Sequence, residues 1–443
     1  MDRFLHITTV FDEENNRTIE YLSELYNDKD SLQGLISESI HSGLSKNEIA
    51  GKTVLLKPNW VKHSYYPDDE ICLRTHDNFL LATLEIILKC KPTKVIIGDA
   101  PIQGCRWDEV VHEQLKWQVN EQSKQYQIPV SVRDFRRRTY QVSGNNPESG
   151  IRSLSEYVIF DLGKDSYLEE ITTNNNNFRV TNYDPERMST AHSPGVHKYC
   201  IAKEFFESDI VISLPKVKTH QKAGITGAIK NLVGINGDKD FLPHHRIGGK
   251  NMGGDCYPGK SPLRYWSELA LDKANRRQGT KQFWMWQKLS SLLWKLSLPQ
   301  QEHQMAAGWY GNDTTWRMVM DLNKVGEYGR IDGTLSKDKC RRIYSLCDGI
   351  VGGQGDGPLE PQPLALGAIS FTNNSFLNDR AMAVLMELDT NKIPLLAREY
   401  EGDKEGNSIL TINGKRSTLK DLCAYSIKAK PPIGWERHLN NIL

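Results

Sequence analysis

Short apolar runs that end in a polar turn recur along the chain and restrict its fold more than any other feature of the sequence. Three of these runs cover residues 53–58, 94–99 and 208–214, and a helical pattern at 78–89 follows the first. Continuous apolar strands that alternate with helices are typical of a parallel sheet covered on both faces. We therefore predict an α/β fold with mainly parallel sheets, in which ligands bind beyond the carboxyl ends of the strands.

The length of 443 residues favours two domains, because single cores stop growing at roughly 250–300 residues. We expect a larger α/β domain at 1–260 and a smaller one at 312–443. A helical, Trp-rich insertion is expected at 261–311, with an apolar stripe formed by Met285, Leu289, Leu292, Leu293 and Leu296. Packing of residues 261–299 on the body or on a partner, including a second copy, is favoured over a membrane-surface helix; a lid is a further alternative.

Composition limits the class of protein. Charged residues make up 25% of the chain and the formal net charge is +1, which argues against a general nucleic-acid binder. No run approaches the ~20 apolar residues of a transmembrane helix, and the first residues lack a signal-peptide pattern, so we expect a cytoplasmic protein. The eight cysteines form no CxxC pair, so we expect reduced thiols and no iron–sulfur cluster.

The segment Ser213–Arg246 contains the densest set of reactive side chains. We predict a helix that begins near Gln221 and presents small and polar residues on one side, namely Thr226, Gly227, Lys230 and Asn231. Glycines early in a helix each cost up to ~1 kcal/mol, which suggests that a ligand approaches the backbone closely. The amides of this helix start would bind a carboxylate or phosphate with help from nearby lysines, namely Lys216, Lys218 and Lys222.

Other candidate ligands lie outside that predicted helix. The two adjacent imidazoles before Arg246 point in different directions, so we expect at most one of them to serve the site. The strand ends add Lys57 and Asn59. Three aspartates are candidates for a divalent metal, although turn and capping roles are more common: Asp99, Asp348 and Asp356. The glycine run at 352–357 lacks the ending of a phosphate-binding loop and is predicted to be a flexible turn.

Several blocks together resemble the family catalogued as domain of unknown function 362. They include Asp209-Ile-Val-Ile-Ser-Leu-Pro-Lys-Val-Lys-Thr-His, Thr226-Gly-Ala-Ile-Lys-Asn-Leu-Val-Gly and Asp348-Gly-Ile-Val-Gly-Gly-Gln-Gly-Asp-Gly-Pro. The resemblance extends from about residue 52 to 396. Some members of that family carry a ferredoxin-like module, whose cysteine spacing is not found in this sequence.

A more distant likeness is to nickel-dependent lactate racemases, carried by the series His220, Lys230 and His245. This resemblance implies two α/β domains with the active site in the cleft between them. It places Lys230 where those enzymes tether a nucleotide cofactor, and it implies acid/base or ligand roles for the two imidazoles.

The leading hypothesis is therefore an enzyme that binds a small anionic metabolite, such as a hydroxy acid or a phosphorylated compound. Racemase- or isomerase-like proton or hydride chemistry is expected. Lys230, His220 and His245 would be catalytic, and substrate would contact a second set: Lys57, Asn59, Lys218, Thr226, Asn231 and Arg246. The cofactor would be a divalent metal or a group tethered to lysine. The alternatives are a non-catalytic anion-binding or partner-docking protein and a redox protein.

Overall fold

Helices occur along the whole described chain. The computed structural model describes residues 3–11, 17–64, 70–139, 150–174, 177–181, 183–297, 306–398 and 408–439. The helices are α1 (Ile19–Asn27), α2 (Lys29–His41), α3 (Lys46–Ile49), α4 (Glu70–Leu73), α5 (Asp77–Lys89), α6 (Trp107–Val110), α7 (Glu113–Tyr126), α8 (Pro185–Ala191), α9 (Lys203–Phe206), α10 (Ala228–Asn231), α11 (Pro262–Asn275), α12 (Lys281–Ser297), α13 (Thr315–Tyr328), α14 (Ser375–Leu385) and α15 (Glu436–Leu439).

The strands are distributed along the whole chain. They are β1 (Arg3–Thr9), β2 (Thr53–Pro58), β3 (Lys94–Asp99), β4 (Val130–Asp134), β5 (Arg138–Thr139), β6 (Gly150–Ile151), β7 (Tyr157–Asp161), β8 (Phe178–Arg179), β9 (His192–Ser193), β10 (Val196–Ala202), β11 (Ile210–Leu214), β12 (Lys216–His220), β13 (Gly224–Thr226), β14 (His245–Arg246), β15 (Arg342–Asp356), β16 (Glu360–Leu364), β17 (Ala368–Thr372), β18 (Ser408–Ile412) and β19 (Lys415–Arg416).

One large mixed sheet organises the molecule. Among the described residues it has 12 strands, with the central order β19-β18-β1-β17-β15-β11-β2-β3-β4. The half from β15 to β4 is parallel. Strand β17 is antiparallel to both β15 and β1, while β1 is parallel to β18, so the other half is mixed. The α/β class is thus confirmed, while the sheet is only partly parallel.

Both faces of the sheet are covered by helices, as a buried parallel sheet requires. One core cluster joins the sheet to α1, α2, α5 and α7, and a second joins its other face to α13 and α14. The same sheet takes strands from residues 1–260 and from 312–443. The division of the chain into domains at those boundaries stays a prediction.

The glycine run near the end of β15 is strand and not a flexible turn. Residues Gly352–Asp356 pair with β16, and Gly353 pairs with Lys218 of β12. A Cβ at Gly353 would overlap the side chain of Lys218, and one at Gly357 would overlap the carbonyl of Thr219. The glycines therefore let two strands approach closely, which a prediction from turn propensity alone does not detect.

The Trp-rich segment forms a hairpin of α11 and α12. Its contact side is polar and small: Ser267 of α11 donates a hydrogen bond to the carbonyl of Ser290, 2.8 Å away. The apolar stripe of α12 is exposed, with 57% of Met285 and 63% of Leu296 accessible. The expected packing of these side chains on the body of the protein is not seen. No helix among the described residues combines the length and apolar character needed to cross a bilayer.

Candidate functional site

The carboxyl ends of β2, β3 and β11 meet at one edge of the sheet and bring several predicted residues together. Lys57 and Asp99 form a buried ion pair with 2.8 Å between Nζ and Oδ1. The second oxygen of Asp99 accepts a hydrogen bond from the backbone amide of Trp60 at 2.7 Å. A Cβ at Gly234 would overlap both charged groups, which explains the glycine at that position.

Asn231 of α10 links this ion pair to the next strand end. Its Oδ1 accepts from Lys57 Nζ at 3.3 Å and from Asn59 Nδ2 at 3.1 Å. Its Nδ2 donates to Ser213 Oγ at 2.8 Å. Lys57 and Asn231, which were predicted to contact substrate, are therefore hydrogen-bonded to other side chains of the site. The buried Oδ1 of Asn59 has no hydrogen-bond partner among the residues that the structure describes.

The segment before α10 is a β-hairpin and not the predicted helix. Strands β12 and β13 pair in antiparallel register, with Lys218 opposite Thr226 and His220 opposite Gly224. Gly224 has φ +83°, a backbone conformation that glycine adopts readily and that ends helical propagation. The helix begins at Ala228, seven positions after the predicted start, because pairing with β12 outweighs the helical periodicity.

The start of α10 is occupied by a carboxylate of the chain itself. Asp379 of α14 accepts hydrogen bonds from the amides of Ala228 and Ile229 at 2.6 and 3.0 Å. A Cβ at Gly227 would overlap that carboxylate. Burial raises the pKa of Asp379 to about 6, although these hydrogen bonds oppose the shift. The prediction that amides at the helix start bind a substrate anion is therefore wrong. The absence of a side chain at Gly227 leaves room for the Asp379 carboxylate.

A group of basic side chains lies beside these strand ends, and we call it the cationic cluster: Lys218, Lys222, Lys230, His220 and His244. Burial, and then the charges of other lysines led by Lys222, lower the pKa of Lys230 to about 7. Burial also lowers the pKa of Lys222 to about 8. Within the described chain, neither ammonium has a hydrogen bond or an ion pair with a carboxylate.

Lys218 differs from the other two lysines because its ammonium is satisfied by backbone. It donates to the carbonyls of Leu73 and Pro358, the latter at 3.2 Å. Burial lowers its pKa to about 7. The predicted substrate contact is thus a buried lysine held by two carbonyls. Thr226, opposite it in the hairpin, has a buried hydroxyl with no hydrogen-bond partner.

The two imidazoles of the cationic cluster are held in opposite tautomers. The Nδ1 of His220 accepts from the backbone amide of Lys222 at 3.0 Å, which leaves the ring proton on Nε2. The Nδ1 of His244 donates to the carbonyl of Leu242 at 2.7 Å, which leaves a lone pair on Nε2. Burial and the neighbouring lysines lower the pKa of both imidazoles, so both are neutral.

His245, the imidazole chosen from the sequence, is paired with a carboxylate. Its Nε2 lies 3.3 Å from Oε1 of Glu268, and the thiol of Cys256 completes a small group with them. Arg246 is held by Asp255 through its backbone amide and its Nε. The imidazole near Lys230 is thus that of His244 and not that of His245. Arg246, predicted to bind a substrate anion, forms a salt bridge with Asp255.

The three aspartates proposed as metal ligands are not brought together. Asp348 accepts from Lys216 Nζ at 2.9 Å and from the hydroxyl of Tyr26. Asp356 lies eight positions further along the same strand, which is about 26 Å at the usual rise per residue. Asp99 is on β3, separated from β15 by two strands. The arrangement does not form one cation site.

Two residues of the cationic cluster were outside the predicted set of site residues. Lys222 was considered only as a helper at a helix start, and it occupies the turn of the hairpin. His244 was set aside in favour of its neighbour. A β-hairpin prediction from Gly224 would have placed Lys222 at the turn between His220 and Thr226, next to the site.

The fold and this geometry define an α/β protein with a basic site at the carboxyl ends of parallel strands. The family described as Domain of unknown function (DUF362) matches residues 155–384, more than half of the chain, so the protein belongs to that family. The match includes the cationic cluster, α10 and all of β15.

Two further similarities are weaker. A thylakoid-associated protein of Synechocystis sp. is 21% identical over 199 residues, which is 45% of this chain and 39% of the relative. The chain therefore spans well under half of that relative's length. A crystal structure of a Thermotoga maritima protein aligns with 79% of this chain and 56% of its own, at 9% identity and a TM-score of 0.33. That likeness is too low to indicate a shared fold.

Proposed function

We propose that the protein is an enzyme that binds a small anionic metabolite at the cationic cluster and moves a proton of that metabolite with Lys230. One observation carries the proposal. Lys222 is buried, Lys230 is partly buried and repelled by the charge of Lys222, and neither ammonium has a hydrogen bond or a salt bridge with a carboxylate in the described chain. Asp255 attracts Lys222 electrostatically without forming a salt bridge with it. Two poorly solvated ammonium groups close together are costly, and a carboxylate or phosphate between them would relieve that cost.

The state of Lys230 suits proton transfer. With a pKa of about 7 the amine is about half unprotonated at neutral pH, as a general base or a nucleophile requires. The neutral rings of His220 and His244 offer one donor and one lone pair. Lys222 is the residue best suited to hold the anion, since its charge acts on Lys230 and its ammonium forms no salt bridge among the described residues.

This assignment fits racemase- or isomerase-like chemistry, in which a proton leaves the carbon next to a carboxylate. The likeness to lactate racemases expected from the sequence gives His220 an acid/base or ligand role, and the geometry substitutes His244 for His245. Thr226 and Asn59 supply buried oxygens without partners near the strand ends, and these oxygens would bind hydroxyl groups of the metabolite. A cofactor tethered to Lys230 stays a further prediction from that likeness.

Hydrogen exchange in deuterated water tests the proposal without knowledge of the product. The protein is incubated with a panel of 2-hydroxy, 2-oxo and phosphorylated acids, and loss of the α-proton signal is followed by NMR. We expect exchange in at least one member of the panel. The Lys230→Met variant should lose the exchange, and Lys124→Met, a surface lysine paired with Glu121, should retain it.

A non-catalytic anion-binding protein is the alternative, and it makes a different prediction. Anions of the panel would then bind and raise the melting temperature, and Lys222→Met would weaken that binding. No member would exchange its α-proton with the wild type. Binding without exchange would contradict the enzymatic proposal while leaving the anion site in place.

A further inference from the structure

A second group of buried side chains lies at the edge of the cationic cluster. His245 of β14, Cys256 of the following loop and Glu268 of α11 are 4%, 2% and 6% exposed. One ligand atom from each residue lies within 4.8 Å of the other two. We call this group the His/Cys/Glu triad. Its three members come from separate elements, so the fold and not the local sequence brings them together.

The backbone around the His/Cys/Glu triad fixes its ligand atoms in place. The amide of Cys256 donates to the carbonyl of Gly248 at 3.0 Å, and the amide of Gly248 donates to Oε2 of Glu268 at 2.9 Å. Asp255 and Arg246 close the loop between the first two members. The site is therefore preorganised, as a metal site requires.

One polar atom of the His/Cys/Glu triad, Nδ1 of His245, is buried without a hydrogen bond in the described chain. Glu268 contacts both other members: its Oε1 lies 3.3 Å from Nε2 of His245, and its carboxylate accepts a hydrogen bond from the thiol of Cys256. A buried polar group without a partner is costly. An imidazole with an unsatisfied nitrogen, packed against a buried carboxylate and a thiol, indicates a ligand between the three side chains.

We propose that the His/Cys/Glu triad binds a divalent transition-metal ion, with Zn²⁺ as the best match. Imidazole nitrogen, thiolate sulfur and carboxylate oxygen are the three ligand types of zinc sites. The thiol argues against Mg²⁺ and Ca²⁺, which take oxygen ligands. Three protein ligands leave one position of a tetrahedral ion for water or for an anion. The proposal stands independently of the function assigned to Lys230.

Metal binding by the full-length protein tests this site. The protein is stripped with a chelator, dialysed against Zn²⁺ or Co²⁺, and analysed by elemental analysis and absorption spectroscopy. We expect one ion per chain, and for Co²⁺ a thiolate-to-metal charge-transfer band. Cys256→Ser should lose the band and His245→Gln should lose the ion, while Cys340→Ser, which changes an exposed thiol, should lose neither.

Circular dichroism of each variant separates loss of metal from loss of fold. Variants that keep the wild-type spectrum and still bind one ion would overturn the proposal. If the variants do not fold, the wild type decides: no bound Zn²⁺, or bound Co²⁺ without the thiolate band, overturns it equally.

A separate observation concerns the exposed face of α12. Its apolar stripe has Met285, Leu292 and Leu296 at 57%, 54% and 63% exposure. Exposed lysines at 281, 288 and 295 lie seven positions apart, so they form a row along one flank of the stripe. The helix contains no acidic residue.

We infer that α12 lies in the interface of an anionic lipid surface, with its apolar stripe inserted and its lysine row at the headgroups. A helix with an exposed apolar stripe and flanking lysines is typical of interfacial binding. Contact between the α12 helices of two copies would bring lysine rows together without acids to neutralise them. The charge pattern therefore favours lipid over a second copy of the chain.

Cosedimentation with vesicles tests this second proposal. We expect binding to vesicles that contain phosphatidylserine and little binding to phosphatidylcholine alone. Substitution of Leu292 and Leu296 by Ser together should abolish binding, while Ile331→Ser, which also changes an exposed apolar side chain, should not. A wild type that ignores both vesicle types, or one that sediments as a dimer dependent on the stripe, would overturn the proposal.

Discussion

Lys230 is the residue on which the proposed chemistry depends, because its surroundings disfavour the protonated, charged form of its amine. Burial and the neighbouring lysines lower its pKa from 10.5 to about 7. Between those two pH values the unfolded chain binds a proton that the folded chain does not hold. Stability therefore rises with pH across this window, and the destabilising effect of the lysine is fully present below pH 7.

Replacement of Lys230 by Met should therefore stabilise the protein in a pH-dependent way. The expected gain is about 1–4 kcal/mol below the folded pKa, the range seen when buried charges become apolar groups. The gain should shrink as the pH rises from 7 to 10.5 and be small above that. Denaturant unfolding at a series of pH values measures it, and a gain that does not vary with pH would contradict the lowered pKa.

The rate of the proposed proton transfer should follow the same ionisation. If Lys230 acts as the base, kcat/KM rises with pH through a pKa near 7 in the wild type. The matched Lys124→Met variant should keep that profile. A flat profile in this region would remove Lys230 from the role of base, even if the residue is needed for binding.

Residues at the ends of parallel strands were the predictable part of the site. Lys57, Asn59 and Asp99 follow apolar runs, and strands that run in one direction end at one edge. The choice between His244 and His245 was not predictable, because adjacent side chains diverge and only the path of the loop decides which imidazole faces Lys230. Cys256 and Glu268 come from separate elements, and no sequence spacing relates them to His245.

At the scale of elements, the hairpin of β12 and β13 positions the cationic cluster. The sequence shows a helical stripe over this region, and the stripe was misleading because its members are buried for another reason: the hairpin packs between β15 and α14. The four-residue helix α10 that follows owes its position to Asp379, which binds its first amides. Local periodicity carries no information about a carboxylate that is 151 positions away in sequence.

Gly227→Ala should destabilise the protein through that junction. The added Cβ overlaps the Asp379 carboxylate, which is buried and cannot move into solvent. We expect a loss of about 1–3 kcal/mol in the free energy of unfolding. Gly34→Ala is the matched control, since Gly34 is an exposed glycine inside α2 with nothing within 4 Å of the new Cβ. It should be neutral or stabilising by up to ~1 kcal/mol. Equal effects would exclude the overlap as the cause.

At the scale of the whole molecule, the alternation of apolar runs and helices was enough to predict the fold class. It was not enough to predict that half of the sheet is mixed. β1 pairs with β17 and β18, which are more than 350 positions away, so only tertiary contacts fix its place. The cationic cluster itself comes from one segment, residues 218–244, and its place beside the ends of β2, β3 and β11 depends on the complete fold. The net charge of +1 gives no hint of it.

A molecule that encloses unpaired cations should be stabilised by anions. Phosphate, sulfate and citrate should raise the melting temperature more than chloride does at equal ionic strength, because binding to the folded state alone adds stability. The difference should disappear when Lys222 and Lys230 are both replaced by Met. Equal effects of all anions on both proteins would indicate screening of surface charge in place of a site.

The central claim is that Lys230 is a partly buried lysine without a salt bridge among the described residues and within reach of an anion, and competitive acetylation measures this directly. Trace labelling of the native protein over a range of pH, followed by peptide mass spectrometry, gives the pKa of the Lys230 amine. We predict a pKa near 7 without anion and a higher value when phosphate or a bound member of the panel is present. A value near 10.5 that does not respond to anions would contradict the claim.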